Sequence, residues 1–169
     1  MKMPKRIMFD SSSLLIMHMK RNKSLLELTL LNFEVLVPQI SIYEYLVTKA
    51  FLGKNLDHEM ALLKEIYQII PLEDEVLTKS AVIMKNLMKN REKISTIDVL
   101  VGVAAIVKNA LLITDDPSRY KPLTKYGLDV ISIEKFAEEL NLLAIRLSKK
   151  DSVAKVIENQ KSVRGDSNG

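Results

Sequence analysis

The segment Ile94–Asp116, ISTIDVLVGVAAIVKNALLITDD, places the tightest constraint on the fold. It predicts a helix from about Ser95 to Asn109 that runs almost directly into a buried apolar strand, Leu111–Thr114. A helix folded back on the strand that follows it brings its own N-terminus near that strand's carboxyl end. Asp98 lies in the first turn of the helix, and Asp115 and Asp116 come just after the strand. Acids eighteen positions apart in the chain can then share one site.

The remaining segments repeat the alternation. Arg6–Phe9 predicts a first strand ending at Asp10, followed by three serines and an apolar helix start, LLIMHMKR. A short helix is expected at Ser24–Leu31, a second strand at Phe33–Val37 closed by Pro38, and a helix from Ser41 to about Leu52 with Gly53 as its stop. Asp57 is expected to cap the next helix. Ile69–Leu72 reads as a short strand or connector. Glu73–Asn90 is amphipathic, with Val76, Ala81, Ile83, Met84, Leu87 and Met88 on one side. After Pro117 and the turn at Gly127, Asp129–Ser132 predicts a last strand and a long helix begins near Glu134. Strands alternating with helices indicate an α/β fold, an α/β/α sandwich around a central, mostly parallel sheet with an extra C-terminal helix. Residues 1–147 form one domain in this scheme, and residues 148–169 form a C-terminal extension, partly disordered. In such sheets ligands bind beyond the carboxyl ends of the strands, the edge on which Asp10 and Asp116 fall.

Composition narrows the chemistry. The 169 residues contain no cysteine, which removes disulfides, thiolate metal sites and cysteine nucleophiles and fits a reducing cytoplasm. His18 and His58 are the two histidines. They read as a buried or half-buried side chain and a helix-start surface residue, with no catalytic role. No apolar run reaches the roughly 18 residues that span a bilayer, and the first ten residues lack the apolar core of a signal peptide, so no membrane association is expected. A net charge of +4 permits a polyanionic partner without requiring one. The basic residues of the tail, Arg146 to Arg164, read as a solvated face or a loose end, with an RNA-facing arm as the minority reading.

Four acids stand at element ends that such a sheet can converge: Asp10, Glu44, Asp98 and Asp116. Oxygen ligands without cysteine or a useful histidine suit a hard divalent cation, Mg²⁺ or Mn²⁺. Held by carboxylates, such an ion can activate a water and neutralise charge on a phosphodiester. Each acid also has a plain structural role open to it. Ser95-x-x-Asp98 and Ser41-x-x-Glu44 match the capping box, Asp10 can cap a helix, and Asp115-Asp116-Pro117 can be a simple turn. Gly102, Ala104 and Ala105 make the central helix small in the middle, as close packing on the sheet would need, and Thr114 puts a hydroxyl beside the acid pair.

In FDSSSLL, PQISIYEYL, STIDVLVGVAA and LLITDD the chain resembles the PIN-domain ribonucleases, the fold of the VapC toxins. The four stretches, in order, cover about Arg6 to Ile133. The resemblance implies a PIN-like fold and a Mg²⁺- or Mn²⁺-dependent endoribonuclease. Asp10, Glu44, Asp98 and Asp116 would hold the metal, Ser12 and Thr114 would support them by hydrogen bonds, and Asp115, at the variable place of T-x-D, would be an extra ligand at most. It also implies an RNA substrate, a homodimer and, for a toxin, a cognate VapB-like antitoxin whose C-terminal segment lies in the active-site groove. An RNA-processing nuclease that is not a toxin, a non-catalytic PIN binding module and a phosphatase of small esters are the alternatives. The chain is longer than toxin members typically are, through its C-terminal extension.

Overall fold

β1 (Arg6–Phe9) is a run of apolar residues buried from its second position onward, as expected of a strand covered on both faces. Around it the computed structural model, which describes residues 3–145, builds a five-stranded sheet in the order β3-β2-β1-β4-β5. β2 spans Glu34–Pro38, β3 Gln68–Ile70, β4 Leu111–Thr114 and β5 Val130–Ser132. All four pairings are parallel, so the sheet is parallel throughout. The chain steps outward from β1 through β2 to β3, then returns to the other side of β1 for β4 and β5. The order reverses between β1 and β4, and their carboxyl ends flank the crevice where such sheets bind ligands.

Alternate side chains along each strand feed two cores. Ile7, Phe9, Val35, Val37, Leu111 and Ile113 point to one face. They are covered there by α1 (Ser11–Met17), α2 (Lys23–Asn32), α3 (Gln39–Phe51), α4 (Leu56–Ile66) and α7, which runs from 133 to at least 145. Met8, Leu36, Ile70 and Leu112 point to the other face, under α5 (Asp74–Lys89), α6 (Thr96–Lys108) and a long 3-10 segment, Pro117–Tyr126. The result is the expected three-layer arrangement. The C-terminal extension at 148–169 and its basic residues lie outside the described residues.

Several local expectations change. Asn55, not Asp57, caps α4, accepting the His58 amide at 3.0 Å, while Asp57 sits in the first turn. Ser41 does not cap α3, which starts two residues earlier after Pro38. Its hydroxyl is buried without a hydrogen-bond partner. On α5, Ala81 and Met88 face solvent and Ser80 takes an inward position, because the buried stripe is Val76, Ser80, Ile83 and Leu87. The 3-10 segment after β4 has no counterpart in the sequence pattern. Prolines at 117 and 122 hide it from helix periodicity.

Gly102 has a specific reason. A Cβ there would meet Leu123 Cδ1 at 2.3 Å, so the close approach is to the 3-10 segment. At its other end α6 stops on Asn109, which adopts the left-handed conformation (φ 49°). The Ala110 amide reaches back to the Ala105 carbonyl, turning the chain into β4 within two residues. This tight return sends α6 back along the strand, so that its N-terminal Asp98 reaches the functional edge.

Candidate active site

Asp10 follows β1 and is the N-cap of α1, accepting the Ser13 amide at 2.9 Å. The plain structural role is therefore real, and it accounts for only part of the side chain. Oδ1 also accepts from Ser12 Oγ at 2.7 Å, and Oδ2 accepts from Thr114 Oγ1 at 2.6 Å and from the Tyr120 hydroxyl at 3.2 Å. Ser13 Oγ lies 3.0 Å from Oδ1 and 2.8 Å from the Ile113 carbonyl, and its single proton serves one of them. Asp10 is 2% exposed. A carboxylate buried so deeply needs this many donors.

The two hydroxyls tie β1 to β4. Ser12 Oγ accepts the Asp115 amide at 3.1 Å, and Thr114 Oγ1 accepts the Asp116 amide at 3.3 Å. Each donates to Asp10 and accepts from the chain after β4, so the Thr114-Asp115-Asp116 turn is held against the Asp10 carboxylate. The Asp116 side chain is exposed and turns to Ser118, accepting its amide at 3.0 Å and its hydroxyl at 2.5 Å. Those two bonds, helped by the charge of Arg119, hold its pKa below the usual carboxylate value. Asp116 thus also caps the 3-10 segment.

Asp98 is 5% exposed. Ser95 Oγ accepts the Asp98 amide at 3.0 Å, as a helix cap, and donates to Oδ2 at 2.7 Å. Arg119 Nη2 donates to Oδ1 at 2.5 Å. Burial opposes the charge on Arg119, but Asp98, Tyr120 and Asp10 together raise its pKa. Tyr120 is 1% exposed; desolvation first, then the charges of Asp10 and Asp98, push its pKa up, so it remains a phenol and a donor. Glu44, half-buried on α3, accepts from Ser11 Oγ at 2.8 Å. It lines a cavity of about 360 Å³ with Ser11, Leu15, Tyr43, Val47, Thr48 and Ile97.

No family model matches the chain. Over 143 residues the chain is 41% identical to a VapC ribonuclease of Pyrococcus furiosus, an overlap of 85% of this chain and 96% of that protein. The chain belongs to the VapC ribonuclease family. Its fold is shared with solved structures at lower identity. The VapBC-1 structure from nontypeable Haemophilus influenzae matches with a TM-score of 0.60 at 20% identity, covering 75% of this chain and 96% of that one. VapBC2 from Rickettsia felis, bound to a promoter DNA fragment, matches with a TM-score of 0.62 at 17% identity, covering 75% and 97%. At those identities the likeness is one of fold.

In this VapC-family chain the donor types fit a hard divalent cation: carboxylate and hydroxyl oxygens, with no thiolate. Their placement does not close around one point. Among the described residues no group of three or more His, Cys, Asp or Glu stands close enough to hold a metal ion. Asp10 and Asp98 are brought together through Tyr120 and Arg119, Asp116 joins through the Thr114 hydroxyl, and Glu44 is linked through Ser11, the neighbour of Asp10. Arg119 and Tyr120 escaped the sequence reading. Their only signal is position, two polar side chains of long reach between Pro117 and Pro122 directly after the acids. His18 and His58 lie where expected, half-buried against Tyr67 and exposed at the start of α4.

Proposed function

We propose that this VapC-family protein is an endoribonuclease whose Asp10, Glu44, Asp98 and Asp116 hold Mg²⁺ or Mn²⁺ to hydrolyse RNA phosphodiester bonds, and that it is the toxin of a VapBC-type pair. One observation carries the site: two buried carboxylates, Asp10 and Asp98, stand at the crevice between β1 and β4 and act on the same Tyr120 and Arg119. Capping α1 and α6 would not require burying both carboxylates at one edge of the sheet, where hydroxyl donors meet Asp10, and Ser95 and Arg119 meet Asp98.

The chain's own part is positioning. Ser12, Ser13 and Thr114 fix Asp10, and through it the turn that carries Asp116. Tyr120, itself buried, donates to the same carboxylate. The exposed Tyr43 ring, beside Glu44 at the cavity rim, offers a face on which an RNA base can stack. The bound cation would neutralise phosphodiester oxygens and lower the pKa of the attacking water. Asp115, exposed, is at most an additional ligand.

A VapB-like antitoxin is the partner this assignment calls for, in keeping with solved neighbours that are VapBC complexes. A homodimer is supported by α3, where Val47 and Phe51, four residues apart, are 38% and 88% exposed. Among the described residues no helix is long and apolar enough to cross a membrane.

Cleavage of structured total RNA with Mn²⁺ or Mg²⁺ against EDTA, with Asp98→Asn and Asp116→Asn beside the wild type, tests the assignment. Metal-dependent cleavage that disappears in both variants, with unchanged circular dichroism, is the expected result. Full activity in both variants removes the acid site. RNA binding without products and without a metal requirement moves the protein to the binding modules.

A further inference from the structure

The fold brings a basic side chain, Arg119, to the acids. Its Nη2 donates to Asp98 Oδ1 at 2.5 Å, and Asp98 stands at the crevice between β1 and β4, so the guanidinium stands there too. Burial opposes its charge, yet its pKa is raised, by Asp98 first and then by Tyr120 and Asp10. The same charge helps the Ser118 bonds to hold down the pKa of Asp116. Other paired cations are engaged elsewhere. Arg6 meets Glu34 at the amino ends of β1 and β2, Lys108 bonds both oxygens of Glu73, and Lys49 on α3 faces Glu59 on α4. A guanidinium carries five N–H donors. Among the described residues Asp98 is the one side chain that takes any of those of Arg119, and 39% of the arginine side chain is left exposed. The centre of the Tyr120 ring lies 5.8 Å from the guanidinium carbon. Asp98 and the ring together restrict the rotamers of Arg119, so its donors are oriented before a ligand arrives.

We propose that Arg119 binds the RNA backbone: Asp98 holds one edge of its guanidinium, and the remaining N–H groups donate to a non-bridging oxygen of a phosphodiester lying in the β1–β4 crevice. The inference rests on the endoribonuclease reading above and requires no metal. A guanidinium is planar, with N–H groups on three edges, so one edge on a carboxylate leaves the others for a phosphate. The crevice needs such a group. Asp10, Asp98 and Asp116 stand at the same edge of the sheet and repel a phosphodiester, and the Arg119 charge acts on all three. A phosphate contact carries no base information. Arg119 therefore contributes affinity and register along the RNA, and its loss weakens binding to all sequences alike.

The test is binding of a fluorescently labelled single-stranded oligoribonucleotide to the purified full chain in EDTA, read by anisotropy from about 50 to 200 mM KCl. Wild type is compared with Arg119→Gln, Arg119→Lys and Lys64→Gln. Lys64 is exposed in the last turn of α4, ahead of β3 at the amino end of the sheet, so its loss removes the same charge away from the crevice. Arg119→Gln should bind about tenfold more weakly than wild type, and its plot of log affinity against log salt should be shallower by about 0.7, the value of one phosphate contact on a single strand. Arg119→Lys should keep the wild-type slope with an intermediate affinity, because it keeps the charge and loses the fork. Lys64→Gln should match wild type. An affinity loss in Arg119→Gln with an unchanged slope is what a purely structural role gives, and it overturns the proposal, as does an equal change of slope in Lys64→Gln. If wild type binds and cleaves RNA and Arg119→Gln binds equally well, only the Arg119 contact fails. If wild type neither binds nor cleaves RNA, the endoribonuclease reading fails with it. The unmutated protein supplies a second readout: the side-chain ¹⁵N resonance that is missing from Arg119→Lys should shift as the oligoribonucleotide is added, and an unmoved resonance overturns the contact.

Discussion

Asp10 illustrates how one side chain carries two roles. Its Oδ1 caps α1, while its Oδ2 faces Thr114 and Tyr120 at the end of β4. Removing a donor to a buried carboxylate leaves the acceptor short and costs about 1–3 kcal/mol. Thr114→Val should lie at the upper end of that range, because its bond is the shorter one and its loss also frees the Asp116 amide. Tyr120→Phe should cost less, as Thr114 still serves the same oxygen. Urea unfolding of the two variants checks the order, and a larger loss in Tyr120→Phe would reverse the ranking of the two bonds. RNA cleavage should fall in both, and further in Thr114→Val.

At the level of elements, α6 is positioned by what it lacks as much as by what it presents. Gly102 lets the 3-10 segment come close enough for Arg119 to reach Asp98. Gly102→Ala would improve helix propensity by up to about 1 kcal/mol but drive a methyl into Leu123, which is fully buried. Overpacking at about 1–3 kcal/mol wins, so the variant should be net destabilised in urea and less active. A second element-scale effect joins α1 to the region before β3. His18 Nε2 lies 2.9 Å from the Tyr67 hydroxyl, and the His18 ring packs edge-on to Tyr45 and Tyr67. Burial, then the charge of Lys49, lowers the His18 pKa, against the pull of Glu59. A base with a lowered folded pKa is neutral in both states at high pH. As pH falls below about 6.5 the unfolded chain takes up the proton first. Stability should therefore drop below that pH, until the folded-state value is passed. His18→Gln should flatten that slope in melting curves recorded between pH 5 and 7, and an unchanged slope would remove His18 as its source.

For the whole molecule, the parallel sheet buries both faces, so both helical layers are needed for a stable core. Among the described residues, exposed apolar side chains remain on several helices, among them Val47 and Phe51 on the outer side of α3. If that face joins two copies, Phe51→Glu should give a monomer in light scattering while leaving the melting curve of each subunit close to wild type. A dimer that survives the substitution would place the contact elsewhere. Because Val47 also lines the cavity beside Glu44 and Tyr43, the dimer face and the substrate entrance adjoin, and loss of the dimer should lower RNA cleavage as well.

Periodicity and punctuation along the chain determined the alternating α/β order, the limits of β1 and β4, the cap at Ser95 and the turn at Gly127, because each depends on residues within a few positions of one another. Asp10, Asp98 and Asp116 were legible as element-end residues for the same reason, whereas Glu44, read as a first-turn acid, lies in the interior of α3 because the helix starts at Gln39. Tertiary structure decided what local pattern could not. It chose which of the amphipathic residues of α5 turn inward, left Ser41 buried rather than capping, and gave Gly102 the 3-10 segment as its neighbour. It also brought Arg119 to an acid 21 positions away and Tyr120 to one 110 positions away. Such partnerships depend on sheet order and on the return of α6 along β4, and no periodicity records them. The chain's own pattern therefore shows which residues can do chemistry, and only the folded arrangement shows which groups restrain them.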